Sequence, residues 1–140
     1  MRRVVTLAAL SSLALGFSAQ AETWKGYSAV SPNSVQWSYD ADYSYRDAVS
    51  KRVVVLTALG KVGANPRVGP SAPGAADGAG SVVALDCKAG NMIFIAGYSP
   101  KKPLAVPSAW RSETPKKVAS EDDKALVKAV CADITKLATK

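Results

Sequence analysis

The sequence contains no histidine, and its 140 residues include only two cysteines, Cys87 and Cys131. Histidine is the commonest general base near neutral pH, so acid–base and triad mechanisms lose their usual base. Two thiols cannot supply the ligands of a zinc site, and the absence of a C-x-x-C pair argues against redox catalysis. We therefore expect a non-catalytic protein with no metal and no cofactor.

Carboxylates are the remaining candidates for chemistry, and Asp40, Asp42 and Asp47 are closely spaced. A calcium loop could begin at Asp40. Its sixth position would be Tyr45 where glycine is needed, however, and its twelfth Lys51 where glutamate is needed. We expect the three aspartates to be turn residues that face solvent. A glycosidase with spatially paired carboxylates stays open, although nothing in the sequence favours it.

The amino terminus has the features of a secretory signal: two arginines, an apolar run from Val4 to Phe17, and a small-x-small pattern at Ala19 and Ala21. The run is shorter than the ~20 residues that span a bilayer, and no comparable run follows. We predict that residues 1–21 are cleaved and that the mature protein is periplasmic or secreted. It has no transmembrane segment and no cysteine for a lipid anchor.

The mature chain is mildly basic. The sequence has 18 Lys and Arg against 11 Asp and Glu, and removing Arg2 and Arg3 leaves 16 against 11, a net charge of +5. Dedicated nucleic-acid binding usually needs clustered positive charge, so we expect no specific nucleic-acid binding. The length of residues 22–140 suits a single domain with one hydrophobic core.

Four segments predict β-strands. Val35, Trp37 and Tyr39 alternate with polar residues, the mark of a half-buried strand. Residues 52–59 are apolar on both faces and rich in β-branched side chains, as expected of a central strand. Residues 81–87 and 91–98 flank a short glycine-containing connection, which indicates a hairpin. In its second strand, alternation places Met92, Phe94 and Tyr98 on one face, opposite Ile93 and Ile95.

Two segments have no regular periodicity. Residues 60–80 are rich in glycine and proline and predict a flexible loop, either a tolerated insertion or a binding loop. Residues 99–119 contain several prolines, with Leu104 to Val106 as a candidate edge strand and Trp110 as an isolated large anchor.

The last segment predicts an amphipathic helix, because apolar residues recur at intervals of three and four from Leu126 to Leu137. Ser120, three residues before Asp123, resembles a capping box. Cys131 lies within the apolar stripe, and Cys87 shares a strand face with core residues. In an exported protein, two core-facing cysteines are most simply a disulfide, here fixing the helix to the hairpin.

Positive charge is concentrated in the proline-containing segment. These basic residues lie near Tyr98 and Trp110 and form a candidate patch for a polyanion. The alternative is a solvated loop with Trp110 packed in the core. The residues concerned are Lys101, Lys102, Arg111, Lys116 and Lys117.

Several short motifs follow one another in a characteristic order. They are Trp24, Tyr39-Asp40, the apolar strand from Val53 to Leu59, Asp86-Cys87, Tyr98-Ser99, Trp110 to Pro115, and a final helix with Cys131. This ordered set resembles the surface-adhesin protein E family of small exported bacterial proteins. The sequence departs from the adhesin by lacking a lipidation cysteine and by carrying the glycine- and proline-rich loop.

The resemblance implies an α+β fold: an antiparallel sheet with a carboxy-terminal helix packed on one face and fixed by the disulfide. Asp86, Cys87, Trp110 and Cys131 carry over, with structural roles. The resemblance also implies a non-enzymatic, adhesin-like role in which the protein engages extracellular-matrix and serum proteins and can form a homodimer. Together with the predicted export and the lack of catalytic motifs, it leads us to expect a protein that binds a protein or polyanionic ligand, such as extracellular-matrix or envelope components. The alternative is a soluble periplasmic envelope or stress-related protein without a host ligand.

Overall fold

The computed structural model describes residues 23–62, 78–99 and 102–140. The predicted signal peptide, residues 1–21, lies outside the described residues, as do residues 63–77 of the predicted loop. Among the described residues, no helix is long and apolar enough to cross a membrane.

The described residues form a largely antiparallel sheet with one α-helix, which confirms the predicted α+β class. The elements are β1 Trp24–Gly26, β2 Val35–Asp40, β3 Tyr45–Arg46, β4 Val53–Lys61, β5 Gly80–Asp86, β6 Asn91–Tyr98, β7 Lys116–Lys117, α1 Glu121–Ala132 and β8 Ala138–Thr139. The strands are ordered β1-β2-β4-β5-β6-β7 across the sheet. In addition, β3 pairs with β4, and β8 pairs in parallel with β3.

Strand β4 lies in the middle of the sheet, as its two-sided apolar sequence predicts. Val54 and Leu56 belong to one core and Val53 and Val55 to the other, and all four are almost completely buried. The strand continues to Lys61 and β5 begins at Gly80, so both ends of the predicted 60–80 loop belong to strands.

Each face of the sheet has its own cover. On one face, α1 packs Leu126 and Val130 against Val53 and Val55. Burying each of these helix side chains contributes about 2 kcal/mol before entropy costs. On the other face, a 3-10 helix at Ser108–Ser112 inserts Trp110, which is only 3% exposed.

A β-bulge changes the predicted orientation of Tyr98. Val83 is opposite Phe94 but Val82 is opposite Ala96, so Ile95 is the extra residue of β6. A bulge shifts the alternation of every residue that follows it. Tyr98 therefore packs with Ile93 in the core that contains Trp110, and its predicted place beside Phe94 is wrong.

Helix α1 begins and is held as the sequence predicts. The hydroxyl of Ser120 accepts a 3.0 Å hydrogen bond from the backbone N–H of Asp123, capping the first turn. Cys131 forms the predicted disulfide with Cys87, whose Cα lies 5.7 Å away. Cys87 lies in the turn after β5 and packs with the core on the helix face.

The carboxy-terminal region and the edge strand differ from the predictions. The helix ends at Ala132, before the end of its apolar stripe, and the chain continues through a 3-10 helix at Ile134–Lys136 into β8. The predicted edge strand from Leu104 to Val106 is not a strand; the outer edge of β6 pairs instead with β7.

A candidate binding groove beside Trp37

Helix α1 leaves a space between its amino-terminal end and the sheet. A cleft of about 200 Å³ lies between this end and the strands. Strands β2, β4, β5 and β6 form the floor and wall of this cleft, and the start of the helix forms its rim. The lining residues are Tyr27, Trp37, Thr57, Ser81, Val83, Met92, Ser120, Asp122, Asp123 and Leu126.

A second cleft of about 330 Å³ adjoins the first and shares Trp37 and Asp122 with it. Its other lining residues are Ser28, Ala29, Ser31, Asn33, Val35 and Leu59. We refer to the residues that line the two clefts together as the Trp37 groove. Phe94 lies opposite Val83 on β6 and is 63% exposed, so apolar surface continues from the groove towards β6.

Trp37 occupies its place because of the strand period. Val35, Trp37 and Tyr39 alternate along β2, and Trp37 lies opposite Leu59 of β4. The segment after β1 holds the backbone of Trp37. The N–H of Trp37 donates to the hydroxyl of Ser28 at 2.9 Å, and its carbonyl oxygen accepts from the N–H of Tyr27 at 2.9 Å. These bonds fix the two aromatic residues of the groove to one another.

Electrostatically, the groove is negative at its rim. Asp122 and Asp123 lie in the first turn of α1, and neither belongs to an ion pair within the described ranges. Burial, followed by the charges of Asp123 and Asp122, raises the pKa of Tyr27 far above its usual value. Tyr27 therefore stays a neutral phenol at physiological pH and can donate or accept a hydrogen bond.

Hydroxyl groups lie on the floor of the groove. The hydroxyl of Thr57 lies 3.1 Å from the carbonyl oxygen of Ser81, to which it donates, and 3.3 Å from the hydroxyl of Ser81. Thr57 is 3% exposed, so these bonds satisfy a polar group that burial would otherwise penalise. The groove thus combines aromatic rings, hydroxyls and carboxylates, which together can bind a ligand by apolar contact, hydrogen bonds and charge.

The predicted structural residue Asp86 ends β5 and shapes the hairpin turn. Its carboxylate accepts hydrogen bonds from the backbone N–H groups of Lys88 at 3.0 Å and Ala89 at 2.9 Å. These bonds, with that of Ala89 first, lower the pKa of Asp86 because they stabilise its ionised form. Gly90 closes the turn at φ 62°, a conformation that favours glycine.

Arg111 binds a buried carboxylate and is therefore not an unpaired member of the predicted polyanion patch. Its guanidinium donates from Nε to Asp47 Oδ2 at 3.0 Å and from a second nitrogen to Oδ1, and it lies 5.0 Å from the centre of the Trp110 ring. Asp47 is 1% exposed, so its predicted place in solvent is wrong. Arg111 holds the pKa of Asp47 well below its usual value.

Asp40 is also buried, at 4% exposed, which corrects the second solvent-facing prediction. Its carboxylate accepts hydrogen bonds from the backbone N–H of Asp42 at 2.9 Å and of Thr23 at 3.3 Å. Desolvation nevertheless raises the pKa of Asp40. Asp42 lies in a turn, as expected, whereas Asp40 is the last residue of β2. Within residues 23–62, 78–99 and 102–140, no group of three or more His, Cys, Asp or Glu could hold a metal ion.

The remaining residues of the polyanion patch are partly described. Lys116 and Lys117 form the exposed strand β7, and Lys102 is exposed. Lys101 lies outside the described residues. Since the cation of Arg111 is engaged by Asp47, the patch that stays a prediction rests on the lysines alone.

Sequence reasoning missed the groove. The sequence correctly predicts Trp37 on a strand face and a helix start at Ser120 and Asp123, but nothing in it tells how much of the sheet the helix covers. No family model, curated protein or solved structure matches the chain. The resemblance to the surface-adhesin protein E family therefore stays a prediction.

Proposed function

We propose that this protein is an exported, non-catalytic binding domain that holds a partner protein in the Trp37 groove. The observation that carries the proposal is the groove on the helix-side face, which Trp37 and Tyr27 line and beside which Phe94 lies exposed. Exposed aromatic surface bordered by polar groups is typical of the centre of a protein interface.

The dimensions of the groove favour a protein ligand over a small molecule. The first cleft, at about 200 Å³, is smaller than the roughly 300–1,000 Å³ usual for small-molecule pockets, and the second, at about 330 Å³, is near the lower limit of that range. Each cleft suits one or two side chains of an extended segment. The floor also spans several strands, which gives a partner a surface to lie on.

The adhesin-like role is the particular form of this proposal. It is supported by the ordered resemblance to the surface-adhesin protein E family and by the Cys87–Cys131 disulfide, since disulfides persist in oxidising settings outside the cytoplasm. The ligands proposed are extracellular-matrix or envelope proteins. A homodimer stays a separate prediction.

Binding by the oxidised mature chain, residues 22–140, tests the proposal. We expect at least one protein in a panel of purified matrix and envelope proteins to bind the immobilised chain. Phe94→Ser and Trp37→Ala should weaken this binding about tenfold or more, as expected for aromatic residues at an interface centre. Phe94 is mostly exposed, so its truncation leaves the fold intact and separates loss of binding from loss of structure.

Val49→Ala is the matched control, because Val49 is 75% exposed and lines neither cleft. Equal binding by the control, by Trp37→Ala in the groove and by Phe94→Ser beside it would contradict the groove as the site. Cell fractionation separates the two cellular roles: protease accessibility on intact cells supports the adhesin, and recovery solely in periplasmic fluid supports the envelope protein without a host ligand.

A further inference from the structure

The Trp37 groove has a charge imbalance that the rest of the protein does not share. The whole sequence has a formal net charge of +7, yet the residues lining the two clefts include no lysine or arginine. Asp122 and Asp123 line the first cleft, and Asp122 also lines the second. By contrast, Glu121 in the same helical turn is paired with Lys124 at 2.7 Å.

Two lysines lie opposite residues that line the groove. Lys61 is the partner of Val35 and Lys116 is the partner of Met92, so both lie next to lining residues. Neither forms an ion pair with Asp122 or Asp123. The centre of the groove therefore presents negative charge that no side chain of the described chain neutralises.

Acidic residues at the start of a helix also stabilise the helix dipole, and that role accounts for the presence of carboxylates in the first turn of α1. It does not account for their position opposite two aromatic rings. Asp122 and Asp123 line the same cleft as Tyr27 and Trp37. Carboxylates together with the faces of tryptophan and tyrosine attract a cation more strongly than either group does alone.

We propose that the Trp37 groove binds a lysine or arginine side chain on an extended, basic segment of the partner protein. The cation lies between the carboxylates of Asp122 and Asp123 and the ring of Trp37, and neighbouring apolar side chains of the segment pack towards Phe94. This inference rests on the proposed function, because it names the chemistry of the ligand that the same groove holds.

The test measures the binding of labelled peptides to the oxidised mature protein by fluorescence anisotropy. The probe is a peptide of alternating lysine and alanine of about seven residues, which when extended spans about 20 Å and so crosses four strands about 4.8 Å apart. Its acetylated form, with neutral lysines, and a glutamate form are the comparison peptides. We expect the basic peptide to bind at least about tenfold more tightly than the acetylated one.

Asp122→Asn/Asp123→Asn should weaken binding of the basic peptide about tenfold or more and leave the acetylated peptide unaffected. The cap is preserved, since Ser120 accepts from the backbone of Asp123. Glu113→Gln/Glu121→Gln is the matched control: it changes the net charge equally at acids that line neither cleft. Equal weakening by both double variants, or failure of the basic peptide to bind, overturns the inference.

The failures of the two proposals are distinguishable. If the matrix or envelope ligand binds in a Phe94-dependent way but Asp122→Asn/Asp123→Asn does not weaken it, the groove is the site and the cationic ligand is wrong. If Trp37→Ala and Phe94→Ser both leave every ligand bound as before, the groove itself is not the site, and both proposals fail together.

Discussion

Arg111 and Asp47, 64 residues apart in sequence, form a two-pronged ion pair in which the carboxylate is buried and the guanidinium is partly exposed. The same guanidinium stacks on Trp110. The pair therefore fixes the 3-10 helix that carries Trp110 to the turn after β3, on the far side of the sheet from α1. It also explains why a residue expected in a polyanion patch is unavailable there.

Removing the cation should cost more stability than removing both members of the pair. Arg111→Gln leaves a buried carboxylate without its partner, whereas Asp47→Asn/Arg111→Gln removes the charge as well. We expect the double variant to unfold at a higher urea concentration than Arg111→Gln alone. Lys124→Gln is the control, because it breaks the exposed pair with Glu121 and should change the midpoint little. A double variant less stable than Arg111→Gln would contradict the prediction.

Acid should destabilise the protein, and Asp47 should be a main cause. The pKa of Asp47 is lower in the folded state than in the unfolded chain, so its stabilising contribution is complete above the unfolded pKa of about 4 and is lost as pH falls towards the folded pKa. Asp86, whose pKa is also lowered, acts in the same direction. The raised pKa of Asp40 acts in the opposite direction.

Urea unfolding at about pH 7 and about pH 3 measures this effect. We expect the wild-type midpoint to fall with acid and Asp47→Asn to show a smaller fall, because the variant has no carboxylate to protonate at this position. The same dependence on pH in both proteins would show that other groups control acid stability.

The disulfide should contribute a large part of the stability. Cys87 and Cys131 are separated by 44 residues, and closing a loop of that length constrains the unfolded chain by about 4 kcal/mol in the loop-entropy model. We expect Cys87→Ala/Cys131→Ala, and reduced wild type, to lose about this amount in urea unfolding. The bond holds the carboxy-terminal end of α1, and the amino-terminal end of the same helix forms the rim of the groove. The double variant and the reduced protein should therefore also bind the partner more weakly. Unchanged stability after confirmed reduction would contradict the model.

The long elements and the disulfide were predictable from the sequence because they depend on local periodicity. The alternation of Val35, Trp37 and Tyr39 defines β2, and the spacing of Leu126 and Val130 defines the buried side of α1. Each pattern also assigns a face, which was sufficient to place both cysteines in one core.

The features that the sequence did not reveal depend on distant contacts. Strands β3, β7 and β8 have two residues each, too few for any period, and exist because a neighbouring strand accepts their hydrogen bonds. The bulge at Ile95 reverses the side of Tyr98, and the nearby Gly97 alone does not tell where the extra residue falls. The groove depends on where α1 stops over the sheet, a distance set by the attachment at Cys131.

The lysines of the predicted polyanion patch can be tested without Arg111. Lys102→Gln/Lys116→Gln/Lys117→Gln should elute from a heparin column at lower salt than a control variant with the same net charge, Lys124→Gln/Lys128→Gln/Lys136→Gln, whose replaced residues lie on or just after α1. The difference is expected because a patch binds through local charge density and not through net charge. Equal elution would identify the segment as a solvated loop.

Two glycines of the β5–β6 hairpin should respond in opposite ways to the same substitution. Gly90 has φ 62°, a conformation that costs an L-residue about 1–2 kcal/mol, so Gly90→Ala should destabilise the protein by about this amount although its added methyl group would meet no atom within 4 Å. Gly97 has equally open space and no positive φ. Gly97→Ala should therefore be neutral or stabilising, because alanine restricts the unfolded chain. Urea midpoints compare the two variants directly, and an equal loss in both would mean that backbone conformation at Gly90 does not control the stability of the turn.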